Sequence, residues 1–459
     1  MLPMLPIPYE SVHFVGIFGS GMSAVAQYLV GKNISVSGSD RFEDSASSKK
    51  VKDALISCGC TIFRQDGSGV TKNTKAICVS SAIEDTNPDI KKAIELGIPI
   101  LHRSDILAIL VKSSKSIAVA GTSGKSTVTA MIFEFLTACN KSPSLISGAG
   151  LKSLEKNGLI GNAFIGESDI LVIEADESDG TLVKYEPYLS IILNLSKDHK
   201  PEDEVYKMFE QLINQSQLSI KNNDDAKLIT LQTDTTFGFY PKSDFYAIDV
   251  GTNKYSNTIQ MASDEFTIPM PGSHNAQNLL AALSVCLYFG CGIKQLQSAV
   301  ASYQGVDRRF VIHQTPSNIT IIDDFAHNPE KIKAAIRAAK NLSTSVIAVY
   351  QPHGYGPTKF LLNEYATTFN NLLESDDGLI LLPIYYAGGT ASKVVSSADI
   401  ITRMHESESD LRMAISVDAR DDALAVIKEK AKPGSIVLLM GARDPSLSSY
   451  CKKIIDLFE

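Results

Sequence analysis

Three times along the chain a short apolar, β-branched run breaks into glycines or polar residues and passes into a stretch with helical spacing. The first case is "VHFVGIFGSGMSAVAQYLVGKNISVSGSD". Val12 to Ile17 reads as a strand, "MSAVAQYLV" as a helix and "ISVSGSD" as a second strand ending at Asp40. This is one βαβ unit, with parallel strands and a right-handed crossover. "KAICVSSAI" and "PILHRS" read as further strands around the helical "PDIKKAIELG", and the lysine- and serine-rich "VKSSKS" closes the block near residue 112. The second block opens on "IAVAGTSGKSTVTAMIFEFL". Its "SDILVIEADESD" and "LSIILNLSKDH" are near-continuous apolar runs, the pattern of strands buried on both faces of a sheet. "PGSHNAQNLLAALSVCLYFG" is a loop leading into a long helix. After the polar connector "YQGVDRRF", the third block gives strand, loop and helix in "NITIIDDFAHNPEKIKAAIRAAK", then strands in "SVIAVYQPHG", "GLILLPI" and "SIVLLMGARD". The pattern predicts an α/β protein in three blocks, 1–112, 113–306 and 307–459, with ligands at the polar carboxyl ends of the strands.

Composition narrows the function classes. A chain of 459 residues is too long for one ordinary core, and 44% apolar with 20% charged residues is globular. The net charge of −8 gives no basic footprint for nucleic acid. Seven cysteines (Cys58, Cys60, Cys78, Cys139, Cys286, Cys291 and Cys451) lack zinc-ribbon spacing, which fits a reduced, cytoplasmic setting. "MLPMLPIPYESVHF" reads as a short arm, not a signal peptide, and no run reaches the roughly 20 apolar residues of a membrane helix. The expectation is a cytoplasmic monomer or homodimer acting on small molecules, with no nucleic-acid or membrane partner.

The candidate chemistry lies at the polar tips. Gly121, Thr122, Ser123, Gly124, Lys125, Ser126 and Thr127 stand between a strand and a helix, where backbone N–H groups and a helix N-terminus suit phosphate. Lys125 would reach the terminal phosphates, and Ser126 or Thr127 would offer a hydroxyl to Mg²⁺. The usual phosphate-loop spacing asks for glycine where Val119 stands, so alone the motif also fits a glycine turn with a solvated lysine. Glu174, Asp176, Glu177 and Asp179 at one strand tip, with Asp198 and His199 at another, turn the balance toward a magnesium–nucleotide site. "GIFGSGMS" places Gly16, Gly19 and Gly21 for a second diphosphate approach, and Asp40 for a ribose. The glycine order is wrong for a dinucleotide fingerprint, which speaks against an NAD(P) oxidoreductase. His274, Asn275 and Asn278 begin a helix, with Asn275 either a cap or a reader of adenine. Arg308 and Arg309 suit phosphate or carboxylate. Asp323, Asp324, His327, His353, Tyr355 and Lys359 mark the third block.

Taken in order, "VHFVGIFGSGMS", "VSSAI", "GTSGKST", "IEADESD", "PGSHNAQNLLAA", "GVDRRF", "DDFAHNP" and "QPH" resemble the Mur ligases over almost the whole chain. That resemblance explains the short phosphate loop. It implies a UDP-sugar-binding Rossmann-like domain, a central ATPase domain and a C-terminal Rossmann-like domain receiving an amino acid. The implied reaction joins L-alanine to UDP-N-acetylmuramate through an acyl phosphate with ATP and Mg²⁺. A tripeptide-recycling ligase, a relative with another amine, and a non-catalytic UDP-sugar-binding protein are the alternatives. Carried over, Lys125 holds phosphates, and Ser126, Glu174 and His199 hold magnesium. His274, Asn275 and Asn278 lie near adenine, Arg309 at the γ-phosphate. Gly19, Ser20, Gly21, Met22, Asp40, Ser80, Ser81, His102 and Arg103 line the UDP-sugar site. Asp324 serves the nucleotide side of the cleft, His327 is a catalytic candidate, and His353 faces the amino acid. Four departures stand out. Lys200-Pro201 replaces the usual methionine-aspartate, Phe18 and Arg443 stand where the family tends to have glycine, and Gly389 stands where it has glutamate.

Overall fold

The computed structural model describes residues 8–45, 48–178, 180–196, 200–239, 241–386, 393–406 and 413–459. They form two compact units, Met1–Asp307 and Arg308–Glu459. In the first unit, β1 (Ser11–Val15), β2 (Ser35–Ser39), β3 (Thr61–Phe63), β4 (Ala76–Val79) and β5 (Ile100–His102) make a parallel sheet of order β3-β2-β1-β4-β5. The order reverses between β1 and β4, the crevice where open α/β sheets take ligands.

A second sheet holds β6 (Lys115–Ala120), β7 (Ser144–Ile146), β8 (Ala163–Phe164), β9 (Ile170–Ala175), β10 (Leu189–Ile192), β11 (Leu218–Asn222), β12 (Thr235–Gly238) and β13 (Phe245–Tyr246). Its order is β13-β12-β11-β10-β6-β9-β7-β8, and only β8 runs antiparallel to its neighbour. The loop after β6 therefore emerges between the tips of β9 and β10. One hydrophobic cluster runs from Val12, Val25 and Leu29 to Ala118, Ile173 and Phe209, so the two sheets share a core and form one unit. A small antiparallel sheet of β14 (Asp249–Thr252), β15 (Asn257–Met261) and β16 (Asp264–Ile268) was not foreseen from the sequence. β14 is exposed almost throughout, and β15 and β16 bury only Asn257, Ile259, Phe266 and Ile268, a weak apolar signal.

The second unit is one sheet of β17 (Val311–Gln314), β18 (Thr320–Asp324), β19 (Val346–Gln351), β20 (Gly378–Leu381), β21 (Met413–Ser416) and β22 (Ile436–Gly441). Its order is β17-β18-β22-β19-β20-β21, parallel except for the edge strand β17. Separate clusters around Ile336 and Ile454 cover its two faces, which explains the continuous apolar runs of β19 and β22.

Candidate active site

The loop after β6 is shaped by two glycines. Gly121 has φ +145° and Gly124 has φ +83°, and a Cβ on Gly124 would stand 2.6 Å from Asn278 Oδ1. Asn194, just past β10, clamps the loop. Its Oδ1 accepts from Ser123 N (2.9 Å) and the Thr122 hydroxyl (3.0 Å), while its Nδ2 donates to Ser123 O (3.0 Å). The helix Lys125–Ala138 starts directly from this turn, with Ser126 and Thr127 buried in its first turn.

Lys125 folds back over the loop. Its Nζ donates to Gly121 O at 2.8 Å and pairs with Glu177 at 2.6 Å, with Asp176 at 3.7 Å, and its side chain is 13% exposed. Burial opposes its charge, but the carboxylates of Glu177, Asp176 and Glu174 outweigh it and hold the ammonium above the ordinary lysine value. Lys125 is therefore a fixed cation at neutral pH. Glu174 lies beside Val119 in the register of β9 and β6. Its Oε1 accepts from the Ser147 hydroxyl (2.7 Å) and Gly148 N (3.0 Å). The helix Ser273–Tyr288 brings Asn275 and Asn278 against the loop, with His274 exposed at its start. Asn278 Nδ2 donates to Asn275 Oδ1, and Asn275 Nδ2 donates to Pro271 O, so both amides brace this corner. Asp179, Asp198 and His199 lie outside the described residues, as does Gly389.

At the β1–β4 crevice, Gly16 takes φ +78°. Asp40 closes the turn, with one carboxylate oxygen accepting from Phe18 N and the other from Phe42 N, both at 3.0 Å. Burial raises the Asp40 carboxyl above its ordinary value, against those two hydrogen bonds and Arg41. Gly19, Ser20, Gly21 and Met22 open the helix Ser20–Gly31. A Cβ on Gly21 would fall 1.7 Å from Arg103 Nη1, so the arginine reaches this turn. Ile83, in the turn after Ser80 and Ser81, approaches Gly16 from β4. His102 is the N-cap of the helix Arg103–Lys112, accepting from Ser104 N, a structural duty that its motif did not reveal.

Two groups went unread in the sequence. Asn162, buried in the second sheet's territory, donates to Ser20 O (2.7 Å) and Ser23 Oγ (2.9 Å) and accepts from Gln27 (2.9 Å), tying the first turn to the second sheet. His13 and Asp89, both fully buried, pair at 3.5 Å. Asp89 also accepts from Ser39 and Gly67. A histidine inside the strand "SVHFV" was the available signal, but its partner is 76 residues away.

In the second unit, Arg308 donates to Asp323 (3.3 Å) and to Gly441 O (2.6 Å), and Arg309 lies 4.7 Å over the Phe325 ring. Asp324 accepts from Phe310 N and Ala326 N. The His327 and His353 rings meet edge-on with centroids 5.3 Å apart, and the Tyr350 and Tyr365 hydroxyls donate to His327 O. Sequence reading placed both histidines at strand tips without foreseeing their pairing.

Known proteins share this organisation. Three family models match in series: "Mur ligase family, catalytic domain" over 11–115, "Mur ligase middle domain" over 119–286 and "Mur ligase, glutamate ligase domain" over 308–443. UDP-N-acetylmuramate–L-alanine ligases from Rickettsia peacockii and Geotalea uraniireducens are 31% and 32% identical, covering 97% and 94% of this chain and 94% and 95% of theirs. The fold matches a crystal structure of UDP-N-acetylmuramate–alanine ligase from Thermotoga maritima with a TM-score of 0.78, at 23% identity over 97% of this chain and 98% of that one. A murein peptide ligase from Psychrobacter arcticus gives 0.71 at 19% identity, with 98% of each chain covered. Near-complete alignment at this identity, with the three domain models in order, places the chain in the Mur ligase family.

Proposed function

We propose that the chain joins L-alanine to the carboxylate of UDP-N-acetylmuramate with hydrolysis of ATP, a cytoplasmic step in peptidoglycan precursor synthesis. The work divides among 1–112 for the UDP-sugar, 113–306 for ATP and 307–459 for the amino acid. The observation that carries the reading is Lys125, held charged by the acidic tip of β9 on a glycine loop at a helix N-terminus. The names of the curated relatives supply the substrates. Among the described residues no helix is long and apolar enough to cross a membrane.

A carboxylate is a poor electrophile, and phosphorylation gives it a leaving group. A carboxylate oxygen attacks the γ-phosphorus of ATP, and the bond to ADP breaks. The amine nitrogen then attacks the acyl carbon, phosphate departs, and the nitrogen loses its proton, leaving the amide. Loop amides from Gly121 to Thr127 and the Lys125 ammonium stabilise the charge that gathers on the transferring phosphoryl. Arg309 is assigned to the γ-phosphate, Asp324 to the nucleotide, His327 to the reacting groups and His353 to the amino acid. His274, Asn275 and Asn278 are assigned to the adenine side.

Ser126 and Glu174 fit magnesium. Both offer oxygen, and Glu174 Oε2 enters no described hydrogen bond. Among the described residues no three His, Cys, Asp or Glu side chains could hold a metal together. When bound, magnesium would offset phosphate charge.

The test is phosphate release from ATP, Mg²⁺ and UDP-N-acetylmuramate with each amino acid and then the tripeptide. Stimulation by L-alanine is expected. Stimulation by the tripeptide alone would move the protein to recycling.

A further inference from the structure

We propose that Arg443 recognises the carboxylate of the incoming amino acid, an inference that rests on the ligase reading and deepens it. β22 runs between β18 and β19, and its register sets Met440 beside Asp324 and Gly441 beside Gln351. Arg443 follows two residues later, at the sheet edge that carries His327 and His353.

Arg443 is exposed and has φ +59°, a left-handed conformation that costs any residue with a Cβ. Arg308 has a similar φ of +54°, but its guanidinium is held by Asp323 and the Gly441 carbonyl, which offset the strain. Arg443 has no such compensation: among the described residues, no hydrogen bond or ion pair engages it. The nearby acids are already occupied. Asp444 accepts from Arg420 and Ser446, and Asp324 accepts from Phe310 N and Ala326 N. Lys393, at the same edge, lies over the Tyr355 and Tyr386 rings.

Glycine would make this turn without strain. The guanidinium makes no described contact with the fold that would offset that strain, so it stands available to a ligand. Its planar fork matches a carboxylate through two parallel hydrogen bonds, and each amino-acid acceptor carries one.

The experiment compares the full-length protein with Arg443→Gly and Arg443→Lys, using L-alanine and L-alaninamide as acceptors. For Arg443→Gly the inference expects KM for L-alanine to rise at least tenfold, with KM for ATP and UDP-N-acetylmuramate unchanged. The preference for L-alanine over L-alaninamide should collapse, and Arg443→Lys should restore part of it. Because glycine relieves the backbone, the Tm of Arg443→Gly should not fall, which separates a binding loss from misfolding. An unchanged KM for L-alanine and an unchanged acceptor preference in Arg443→Gly would overturn the inference while leaving the ligase reading intact. No amine-dependent phosphate release by the unaltered protein would overturn both.

Discussion

The turn after β1 and the loop after β6 share one backbone solution. Each leaves a central parallel strand, uses glycine at positive φ (Gly16 at +78°, Gly121 at +145°, Gly124 at +83°) and enters a helix. Their supports differ. The first turn is closed by a carboxylate, Asp40, and touched by an arginine from another helix. The second is closed by a neutral amide, Asn194, and carries its own lysine embedded among acids. Glycine spacing thus reports only an open turn at a strand end. The side chains brought in from distant strands set the charge and hydrogen bonds a ligand would meet there.

The largest way to break this comparison is to remove the cation from one turn. Lys125→Ala should lower turnover by about 10²–10³-fold or more, the scale for losing one preorganised charge partner. UDP-N-acetylmuramate binding, measured calorimetrically, should stay near that of the unaltered protein. Loss of both would mean that the two turns are not separate sites. The raised Lys125 value adds a sign: its charge persists below the ordinary lysine range and beyond, so its titration should produce no fall in rate between pH 7 and 9.

A pair of alanine substitutions sharpens the contrast. Gly124→Ala meets both a positive φ and Asn278 at 2.6 Å, so it should cost about 1–2 kcal/mol in stability and weaken ATP. Gly21→Ala meets only the end of the flexible Arg103 side chain. It should leave the Tm nearly unchanged and weaken the UDP-sugar several-fold. Equal thermal effects in the two variants would contradict the different supports inferred for the turns.

The smallest effect concerns Asp40. Its carboxyl is raised by burial, so the folded protein holds a proton more tightly than the unfolded chain. Stability from this group is present at low pH and declines as pH rises from the ordinary aspartate value through the raised one. Asp40→Asn should remove that shallow decline in a denaturant series across acidic pH.

The glycines, Lys125 and the acidic tip of β9 were legible because each sits where an apolar run ends, within a few residues of its neighbours in sequence. Asn194 stood in the same kind of place, but a lone asparagine after "LSIIL" carries no distinctive pattern. Asn162 and the His13–Asp89 pair were beyond reach, since their meaning depends on partners 76 to 142 residues away in the folded chain. The parallel sheets followed from the alternation of strand and helix. The antiparallel β14–β16 did not, because those short strands bury little and lack a strong period.

The most direct test of the acyl-phosphate account uses UDP-N-acetylmuramate labelled with ¹⁸O in its carboxylate, incubated with the protein, ATP, Mg²⁺ and L-alanine. Mass spectrometry should find one labelled oxygen in each phosphate released, with the other retained in the amide. Unlabelled phosphate beside an amide product would show that the carboxylate was never phosphorylated, and would contradict the account.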